Sequence, residues 1–252
     1  MKILSIIIPA YNEEKYISQL LDQIQSVDTE IIGFMKEIIV VDDGSTDQTR
    51  DLALKVAIGQ PNITVIHQDN QGKGNAVQRG VQEAKGDFVL VQDADLEYDP
   101  NDYITMLKCL KNSRTSIYGS RILGQIKFYN RNFPFFGRHP DQDFGPWLAG
   151  IFLTIWVFIL YGRWITDTLT AYKIYPIDVI REMEIVTHGF EADHEITAKL
   201  INNGLKIVEV PVKYNPRSLE EGKKIKMRDG FVALWTFVRF RFINSVIITK
   251  TD

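Results

Sequence analysis

The sequence predicts an α/β fold in which a mostly parallel central sheet is flanked by helices. Two observations support this prediction. Short apolar runs alternate with longer segments of helical periodicity through the first half of the chain, and each apolar run leads into a polar loop. Strands separated by helices of this length imply crossover connections, which join parallel neighbours. The composition agrees, since 45% of the 252 residues are hydrophobic and 24% are charged, as in an ordinary globular protein.

Apolar runs bounded by turn residues predict the strands, because a buried parallel strand is apolar on both faces. In chain order the expected strands are Ile3 to Ile8, Ile38 to Val41, Ile63 to Ile66, Phe88 to Val91 and a short one over Ser116 to Gly119.

Three segments between these strands predict helices from their periodicity and their start signals. The first is capped by Asn12-Glu13-Glu14 and runs to about Val27. The second begins near Thr46 and Asp47 and ends near Ala57, and the third follows Gly72-Lys73-Gly74. Their inner faces carry Ile17, Leu20, Leu21 and Ile24 in the first helix, and Ala76, Val77, Val81 and Ala84 in the third.

The pattern changes after Arg121. Residues 124–146 are rich in Gly, Pro, aromatic and charged residues without a clear period, which predicts a long functional loop. Residues 146–162 contain no charge, and a helix that is apolar all round is either buried or lies against lipid. It is short for a membrane span. A last helix, over Phe231 to Ile248, mixes aromatic side chains with two arginines and is amphipathic.

Charge and cysteine content narrow the function classes. The net charge is −3, so the chain as a whole is not polybasic. This charge balance disfavours nucleic-acid binding. The single cysteine, Cys109, excludes an internal disulfide and fits a reducing cytosol. The first residues enter a strand-like run at once, so we expect no signal peptide and a cytoplasmic location.

The segment Phe88 to Asp95 indicates the chemistry. An apolar strand leads directly into Asp93 and Asp95, at the end of the strand where open α/β sheets bind ligands. Two hard oxygen donors this close suit a divalent cation that keeps other positions for phosphate oxygens. The expected task is to hold a metal–diphosphate complex, although an Asp-x-Asp sequence also occurs in ordinary turns.

Four motifs, in this order and spacing, together resemble those of family-2 glycosyltransferases of the GT-A fold: Ile6 to Glu13, Val40 to Asp47, Gly72 to Ala76 and Gln92 to Asp95. Four later motifs are similar to those of dolichyl- or polyprenyl-phosphate mannose or glucose synthases: Gly119 to Arg121, Asp167 to Lys173, Gly189 to Ile196 and Glu209 to Arg217. The resemblance covers about residues 3–228. It implies a Rossmann-like domain over 1–228, with a nucleotide-sugar-binding half (1–121), an acceptor-binding half (122–228) and a helical tail (229–252).

The resemblance also implies roles on the donor side. Pro9, Ala10, Tyr11 and Glu13 would form the wall of the nucleotide pocket, with the Tyr11 ring against the base. Asp43 would accept a hydrogen bond from the base, and Gln92 would line the same edge. Lys73, between two glycines, would approach a phosphate or the base edge, and a solvated lysine is an equal alternative.

For the reacting groups, the resemblance implies that Asp95 contacts Mg²⁺ or Mn²⁺ directly, while Asp93 contacts ribose and shares the metal. The cation would neutralise the departing diphosphate. Arg121 and Arg217 would reach phosphate oxygens, for which guanidinium groups are suited. The expected donor is a UDP- or GDP-hexose, and the anomeric centre would be inverted.

The acceptor decides whether a general base is needed. A sugar or protein hydroxyl requires one. A polyprenyl phosphate does not, because its second pKa lies near ~6 and it is an anion at pH 7. Asp193 and Glu195 are the candidate bases, and Arg131, Arg138 and Asp167 are the candidate acceptor-binding residues.

The chain departs from the mannose-synthase pattern at Leu169 to Tyr172, at Gly222 to Lys224 and in the aromatic segment 124–146, which leaves the sugar and acceptor open. The main hypothesis is a metal-dependent hexosyltransferase that uses polyprenyl phosphate and docks peripherally on the cytosolic membrane face. The alternatives are a transferase with a glycan or protein hydroxyl acceptor and a non-catalytic nucleotide-sugar-binding module.

Overall fold

A seven-stranded sheet with the strand order β3-β2-β1-β4-β6-β5-β7 forms the centre of the molecule. The computed structural model describes residues 1–112, 114–130, 137–140, 144–216 and 227–243. The strands are β1 Lys2–Ala10, β2 Phe34–Asp43, β3 Ile63–Gln68, β4 Phe88–Val91, β5 Thr115–Ser120, β6 Lys173–Pro176 and β7 Lys206–Pro211. Only β6 runs antiparallel to its neighbours β4 and β5, so the predicted mostly parallel α/β architecture is confirmed.

Nine helices flank the sheet in the described residues: α1 Ile17–Ser26, α2 Thr49–Ala57, α3 Lys73–Glu83, α4 Asp102–Lys108, α5 Arg121–Tyr129, α6 Phe144–Tyr161, α7 Ile177–Glu182, α8 Ala192–Asn202 and α9 Met227–Arg241. A 3₁₀ helix spans Glu30–Ile32. Two apolar clusters bury the two faces of the sheet. One is centred on Leu4, Ile6 and Ile8, and the other on Ile7, Val89 and Val91. Alternate residues of one strand point to opposite faces, which explains this partition.

Two predictions about helices were wrong. Asn12 does not cap α1, because its side chain accepts a hydrogen bond from the Thr46 amide and the helix begins only at Ile17. The segment 124–146 is not one long loop, because α5 extends through Tyr129. The Ser120 hydroxyl accepts the Leu123 amide and starts α5, and Asn130 ends it in the left-handed conformation.

Helices α6 and α9 pack against each other through side-chain to main-chain hydrogen bonds. The Trp156 indole donates to the Leu234 carbonyl at 3.3 Å, and the Tyr161 hydroxyl donates to the Phe237 carbonyl at 2.7 Å. The sides of α9 that carry Phe237 and Phe240 are fully buried. One side of the helix predicted near the C-terminus is therefore part of the core.

The charge-free helix α6 is buried on one side only. Trp147, Leu153 and Val157 pack inward, whereas the opposite side exposes Phe144, Leu148, Phe152, Ile155, Phe158 and Ile159. The alternative of a fully buried helix is therefore wrong, whereas the exposed apolar side is compatible with the alternative of contact with lipid. No helix in the described ranges combines the length and apolarity needed to cross a membrane.

Candidate active site

The carboxyl ends of β1, β2 and β4 lie side by side, because these three strands are parallel neighbours. The register pairs Ala10 with Asp42 and Ile7 with Val91. Polar residues that follow the three strands consequently meet at one edge of the sheet, where open α/β sheets bind their ligands.

The loop after β1 is fastened to the loop after β2. The Asn12 amide donates to the Ser45 hydroxyl at 3.0 Å, and the Asn12 side-chain oxygen accepts the Thr46 amide at 2.8 Å. The Glu13 amide donates to the Thr49 hydroxyl at 2.7 Å. Hydrogen bonds between main-chain amides and side chains thus join the predicted pocket wall to the loop after β2.

The wall residues differ in exposure. Pro9 and Ala10 belong to the end of β1, and Ala10 and Glu13 are buried. Tyr11 is exposed at the rim over 39% of its surface, so its ring offers a flat face to a ligand.

Asp43 organises the segment that leads into α3. Its carboxylate accepts the Gln68 side-chain amide at 2.7 Å, the Gln71 amide at 2.9 Å and the Gly72 amide at 2.9 Å. Both oxygens therefore have a donor within the protein, and the hydrogen bond from a base predicted for Asp43 would be an additional one. Asp42 next to it accepts from Ser45 and contacts His67.

The two glycines that flank Lys73 allow a close approach of main chains. The Gly74 amide donates to the His188 carbonyl at 2.8 Å. A Cβ atom on Gly74 would lie 2.6 Å from that carbonyl oxygen, and one on Gly72 would lie 3.0 Å from it. The glycines are explained by packing against the segment before α8, and the sequence interpretation that they let Lys73 approach a phosphate did not include this contact.

Asp93 and Asp95 follow β4 in half-buried positions. Lys73 Nζ lies 2.6 Å from Asp93 Oδ1, and Asp95 Oδ1 accepts the Glu97 amide at 3.1 Å. Burial acts to lower the pKa of Lys73, but the nearby carboxylates of Asp93, Asp193 and Asp95 outweigh it and raise the pKa above its ordinary value. Lys73 is therefore a cation within the acidic edge.

The donor set at this edge fits a hard divalent cation. No group of three or more His, Cys, Asp or Glu side chains arranged for a metal occurs in the described parts of the chain. Two carboxylates at a strand end are nevertheless the set expected when Mg²⁺ or Mn²⁺ takes its remaining ligands from diphosphate oxygens and water. Asp93 and Asp95 would hold the cation in that arrangement.

Gln92 lies beneath the edge rather than on it. Its side chain is fully buried, and its oxygen accepts the Tyr103 hydroxyl at 2.9 Å while its amide donates to the Asp93 carbonyl at 3.0 Å. The prediction that Gln92 lines the cleft does not agree with this placement. A glutamine at the end of an apolar strand supports the main chain of Asp93 instead.

Asp193 lies in the first turn of α8 and faces two lysines. Its Oδ1 atom is 3.7 Å from the Nζ atom of Lys173, a side chain with no exposed surface. Burial lowers the pKa of Lys173, although Asp193 acts in the opposite direction. Lys73 also interacts with Asp193 electrostatically. Asp193 is thus the ion-pair partner of Lys173 and adds to the negative charge around Lys73, whose direct partner is Asp93.

Glu195 is fully buried and does not reach the cleft. Its oxygens accept the amides of Val186 and Thr187 at 3.0 and 2.9 Å and the Thr187 hydroxyl at 2.6 Å, and Lys199 Nζ lies at 2.5 Å. These contacts fix the segment that precedes α8. The expectation that Glu195 serves as a base is therefore not compatible with its placement, because its carboxylate is fully buried and already bonded to Val186, Thr187 and Lys199.

Arg121 and Asp167 form a bidentate ion pair beyond the end of β5. The guanidinium donates through Nε and Nη2 at 2.7 Å each, and the Arg121 amide donates to the same carboxylate at 3.0 Å. The guanidinium carbon also lies 5.0 Å from the centre of the Tyr214 ring. Arg121 remains one fifth exposed, so part of its surface is open to a ligand.

Glu209 on β7 holds the Asp167 segment in place. Its carboxylate accepts the Thr166 amide at 2.8 Å, the Thr166 hydroxyl at 2.7 Å and the Asp167 amide at 3.0 Å. Burial raises the pKa of Glu209 despite these three donors. The geometry of Arg121 thus depends on a second carboxylate behind the first.

A cavity adjoins this ion pair. Its lining residues include Arg121, Gln125, Gly137, His139, Trp147, Gly150, Asp167, Leu169 and Tyr214. Arg138 lies in the chain between two of them. Gln125 is buried there with an unpartnered side-chain oxygen. Cationic, polar and apolar walls meet in this cavity.

The predicted ligands Arg131 and Arg217 lie outside the described residues.

Sequence reasoning assigned no role to Lys173, to Glu209 or to a cluster of packed tyrosines. The rings of Tyr98 and Tyr172 stack at 4.8 Å, and Tyr214 packs against Tyr98 at 5.3 Å. Lys173 is the one charged residue of β6, and Glu209 lies between two valines of β7. A charge within an apolar strand was the available signal, because a buried charge needs a specific partner. The tyrosines are too far apart in sequence for any spacing to connect them.

Comparison with known proteins agrees with these observations. The profile of the family described as "Glycosyl transferase family 2" matches residues 5–156. A dolichyl-phosphate beta-glucosyltransferase, ALG5A of Trichomonas vaginalis, is 30% identical over 240 residues, which cover 92% of this chain and 71% of the relative. The dolichol-phosphate mannosyltransferase of Pyrococcus furiosus is 30% identical over 221 residues, which cover 87% of this chain but only 58% of the relative.

Solved structures are similar in fold. Glucosyl-3-phosphoglycerate synthase from Mycobacterium tuberculosis, in complex with Mn²⁺, uridine diphosphate and phosphoglyceric acid, superposes with a TM-score of 0.66 at 17% identity. The match covers 97% of this chain and 80% of that structure. The likeness extends through both halves of the sheet.

Proposed function

The chain belongs to glycosyl transferase family 2, and from this premise we propose that it transfers a hexose from a nucleoside-diphosphate sugar to a polyprenyl phosphate at a membrane surface. The observation that supports this proposal most directly is the cavity at Arg121. It joins a guanidinium that can bind phosphate to the apolar helix α6 through Trp147 and Gly150. A phosphate on a long hydrocarbon chain has this combination of chemistry.

The donor would bind at the carboxyl ends of β1, β2 and β4. Tyr11 would stack on the base and Asp43 would accept a hydrogen bond from it, within the wall formed by Pro9, Ala10 and Glu13. Bound Mg²⁺ or Mn²⁺, held by Asp93 and Asp95, would stabilise the negative charge that develops on the departing diphosphate. Arg217 is proposed as a further phosphate ligand.

Transfer would proceed as a direct displacement with inversion. An oxygen of the lipid phosphate attacks the anomeric carbon, the bond from that carbon to the diphosphate breaks, and its electron pair leaves with the nucleoside diphosphate. No proton has to be removed from the acceptor, because a phosphate monoester is already anionic at pH 7. Arg121 would orient the attacking phosphate, and Asp167 with Glu209 would orient Arg121.

The surroundings of Asp193 favour an anionic acceptor over a hydroxyl. A general base must accept a proton during the reaction, whereas Asp193 is engaged with Lys173 and Lys73. The second candidate base, Glu195, is buried and saturated with donors. We therefore assign Asp193 the role of counter-ion that positions the two lysines.

Docking on the membrane would use the exposed side of α6. Six large apolar side chains lie on that side, and α9 exposes Phe231 and Trp235. Arg163 after α6 and Arg241 at the end of α9 supply exposed positive charge. Apolar faces with basic neighbours bind anionic lipid surfaces. The location proposed is the cytosolic membrane face, with Arg131 and Arg138 near the lipid phosphate.

The test is transfer of radiolabelled sugar from a panel of UDP- and GDP-hexoses, with Mn²⁺ or Mg²⁺, into polyprenyl phosphate. The matched control acceptor is the same polyprenol without its phosphate. Label in the organic phase with the phosphate and none with the alcohol would support the proposal and identify the donor. Label in a water-soluble glycan or protein acceptor, with none in the lipid, would overturn the acceptor assignment.

Asp193→Asn provides an independent check of the acceptor. With an anionic phosphate acceptor, the variant should keep its rate within about tenfold of the wild type. A hydroxyl acceptor that uses Asp193 as base should lose about 10²- to 10⁴-fold. A loss of that size, with an unchanged thermal midpoint, would favour the hydroxyl alternative.

A further inference from the structure

An ion pair occupies the place where the proposed function requires a cation–diphosphate complex. Lys73 Nζ lies 2.6 Å from Asp93 Oδ1, and the two side chains are 19% and 22% exposed. At this distance and degree of burial, the ammonium already neutralises one of the two carboxylates that would bind the metal.

The backbone fixes the position of Lys73. The residue begins α3, and the glycine on either side of it packs against the His188 carbonyl so closely that a Cβ atom would collide. Its side chain extends from this anchored point toward Asp93, past the ring of Phe190 at 5.7 Å. The ion pair is therefore a built feature of the fold and does not arise from chance contact between two mobile surface residues.

The charges around Lys73 keep it ionised. Asp93, Asp95 and Asp193 surround it, and Lys173 is the other cation beside Asp193. A divalent cation that entered this edge alone would share Asp93 with Lys73, and two cations on one carboxylate repel each other. A diphosphate that arrived with the metal would offer negative oxygens to which the ammonium could move.

We propose that Lys73 holds Asp93 in the ligand-free enzyme and releases it to the divalent cation only when a nucleoside diphosphate binds and takes up the ammonium. This inference rests on the proposed function, because it assumes that the edge binds a metal–diphosphate. Lys73 is then the source of cooperativity between metal and nucleotide, and metal alone binds weakly.

The proposal predicts that one substitution changes the affinity for metal and the affinity for nucleotide in opposite directions. Lys73→Met removes the competitor for Asp93, so Mn²⁺ alone should bind about tenfold more tightly, a typical size for coupling between two sites. The same change removes the ammonium that contacts the diphosphate, so nucleotide should bind more weakly. A residue with a merely structural role would weaken both ligands when replaced.

The experiment is a titration of the chelator-stripped protein with Mn²⁺, in which free Mn²⁺ is measured by its electron paramagnetic resonance signal. Each titration is repeated with saturating UDP and with GDP. Lys213→Met is the matched control, because it removes another Lys–Asp contact, the exposed pair with Asp99 at 3.2 Å. Wild type and Lys213→Met should bind Mn²⁺ weakly alone and more tightly with nucleotide, and Lys73→Met should show a smaller gain from nucleotide.

Equal or weaker binding of Mn²⁺ alone by a folded Lys73→Met protein would overturn the proposal. The double variant Lys73→Met, Asp93→Asn provides a second test. If it binds Mn²⁺ alone as tightly as Lys73→Met does, the metal does not bind at Asp93 and the proposal is overturned. Neither titration contains sugar or acceptor, so a failure of lipid transfer is a separate result. If neither nucleotide binds, the Mn²⁺ affinities of the wild type and Lys73→Met without nucleotide still test whether Lys73 competes for Asp93.

Discussion

The two halves of the molecule build their polar sites in different ways. In the first half, residues 1–120, main-chain amides join the loops after β1 and β2 by donating to side chains of the neighbouring short motif, as the Glu13 amide does to the Thr49 hydroxyl. In the second half, the site depends on side chains, above all the Arg121–Asp167 pair supported by Glu209. Short motifs can specify the first kind of site, whereas the second requires residues that meet only after folding.

The halves also differ in what surrounds them. Helices α1 and α3 cover the first half with ordinary amphipathic faces, and their inner residues are buried. Helix α6 in the second half leaves an entire apolar side exposed. A soluble donor and a lipid acceptor would require this asymmetry between the halves. The substitutions below test it, in order of decreasing expected effect.

Asp95→Asn should have the largest effect, and it addresses the first half. Loss of a carboxylate that holds the cation should lower metal-dependent transfer about 10³-fold or more, which corresponds to ~4 kcal/mol. The thermal midpoint should stay unchanged, because Asp95 is only half-buried and an asparagine can still accept the Glu97 amide. Asp51→Asn on the exposed side of α2 is the control, and retained transfer by Asp95→Asn would contradict the metal assignment.

Arg121→Lys tests the second half. Lysine keeps the charge but cannot form the two parallel hydrogen bonds to Asp167, so kcat/KM for the phosphate acceptor should fall about 100-fold. The measurement is initial rates over a range of acceptor concentrations, with Arg79→Lys in an exposed helical pair as control. A rate equal to that of the wild type would show that the bidentate geometry has no part in transfer.

His194, in the second half, should make the stability of the folded protein depend on pH in the acidic range. Burial, with a smaller contribution from Lys173, lowers the pKa of His194 to about 4 from an ordinary 6.5. Between these two values the unfolded chain binds a proton that the native state does not, so stability falls as the pH falls from 6.5 towards 4.

The size of this effect is about 2 kcal/mol at pH 5. His194→Phe cannot take up a proton and should lose less stability between pH 7 and pH 5 than the wild type does, as measured by urea unfolding. Parallel losses in the two proteins would mean that His194 does not contribute.

Replacement of exposed apolar residues of α6 should have a smaller effect, and this effect should be on binding to lipid. Replacement of Phe152 and Ile159 by glutamate should weaken binding to anionic phospholipid vesicles about tenfold, because charge opposes insertion of the helix face. The control is Ile58→Glu together with Ile31→Glu, two exposed apolar residues in the first half. Similar losses in both variants would indicate that adsorption is not specific to α6.

Most of the first half could be predicted from the sequence. The strand Phe88–Val91 was predicted with its observed bounds, and Asp93 and Asp95 lie at the predicted edge. The parallel sheet follows from the alternation of apolar runs and helices, a local property of the chain. The errors in this half concern side chains, since Gln92 points inward and Asn12 bonds to the Thr46 amide and does not cap α1.

The second half could be predicted less well, for a physical reason. Residues 124–146 lack a helical period, yet α5 forms through Tyr129 because Ser120 supplies its cap. Glu195 and Asp193 are two residues apart in one acidic helix start, and only packing decides that one is saturated by Val186 and Thr187.

The sequence by itself determined the α/β architecture, the positions of the strands along the first half of the chain and the identity of the carboxylates at the sheet edge. These depend on apolar periodicity and on residues close together in the chain. Tertiary structure alone decided that Lys73 contacts Asp93, that Lys173 and Glu209 become buried partners of the site, and that one side of α6 stays exposed. Such contacts join residues far apart in sequence, and their energies depend on burial and distance, which no local pattern encodes.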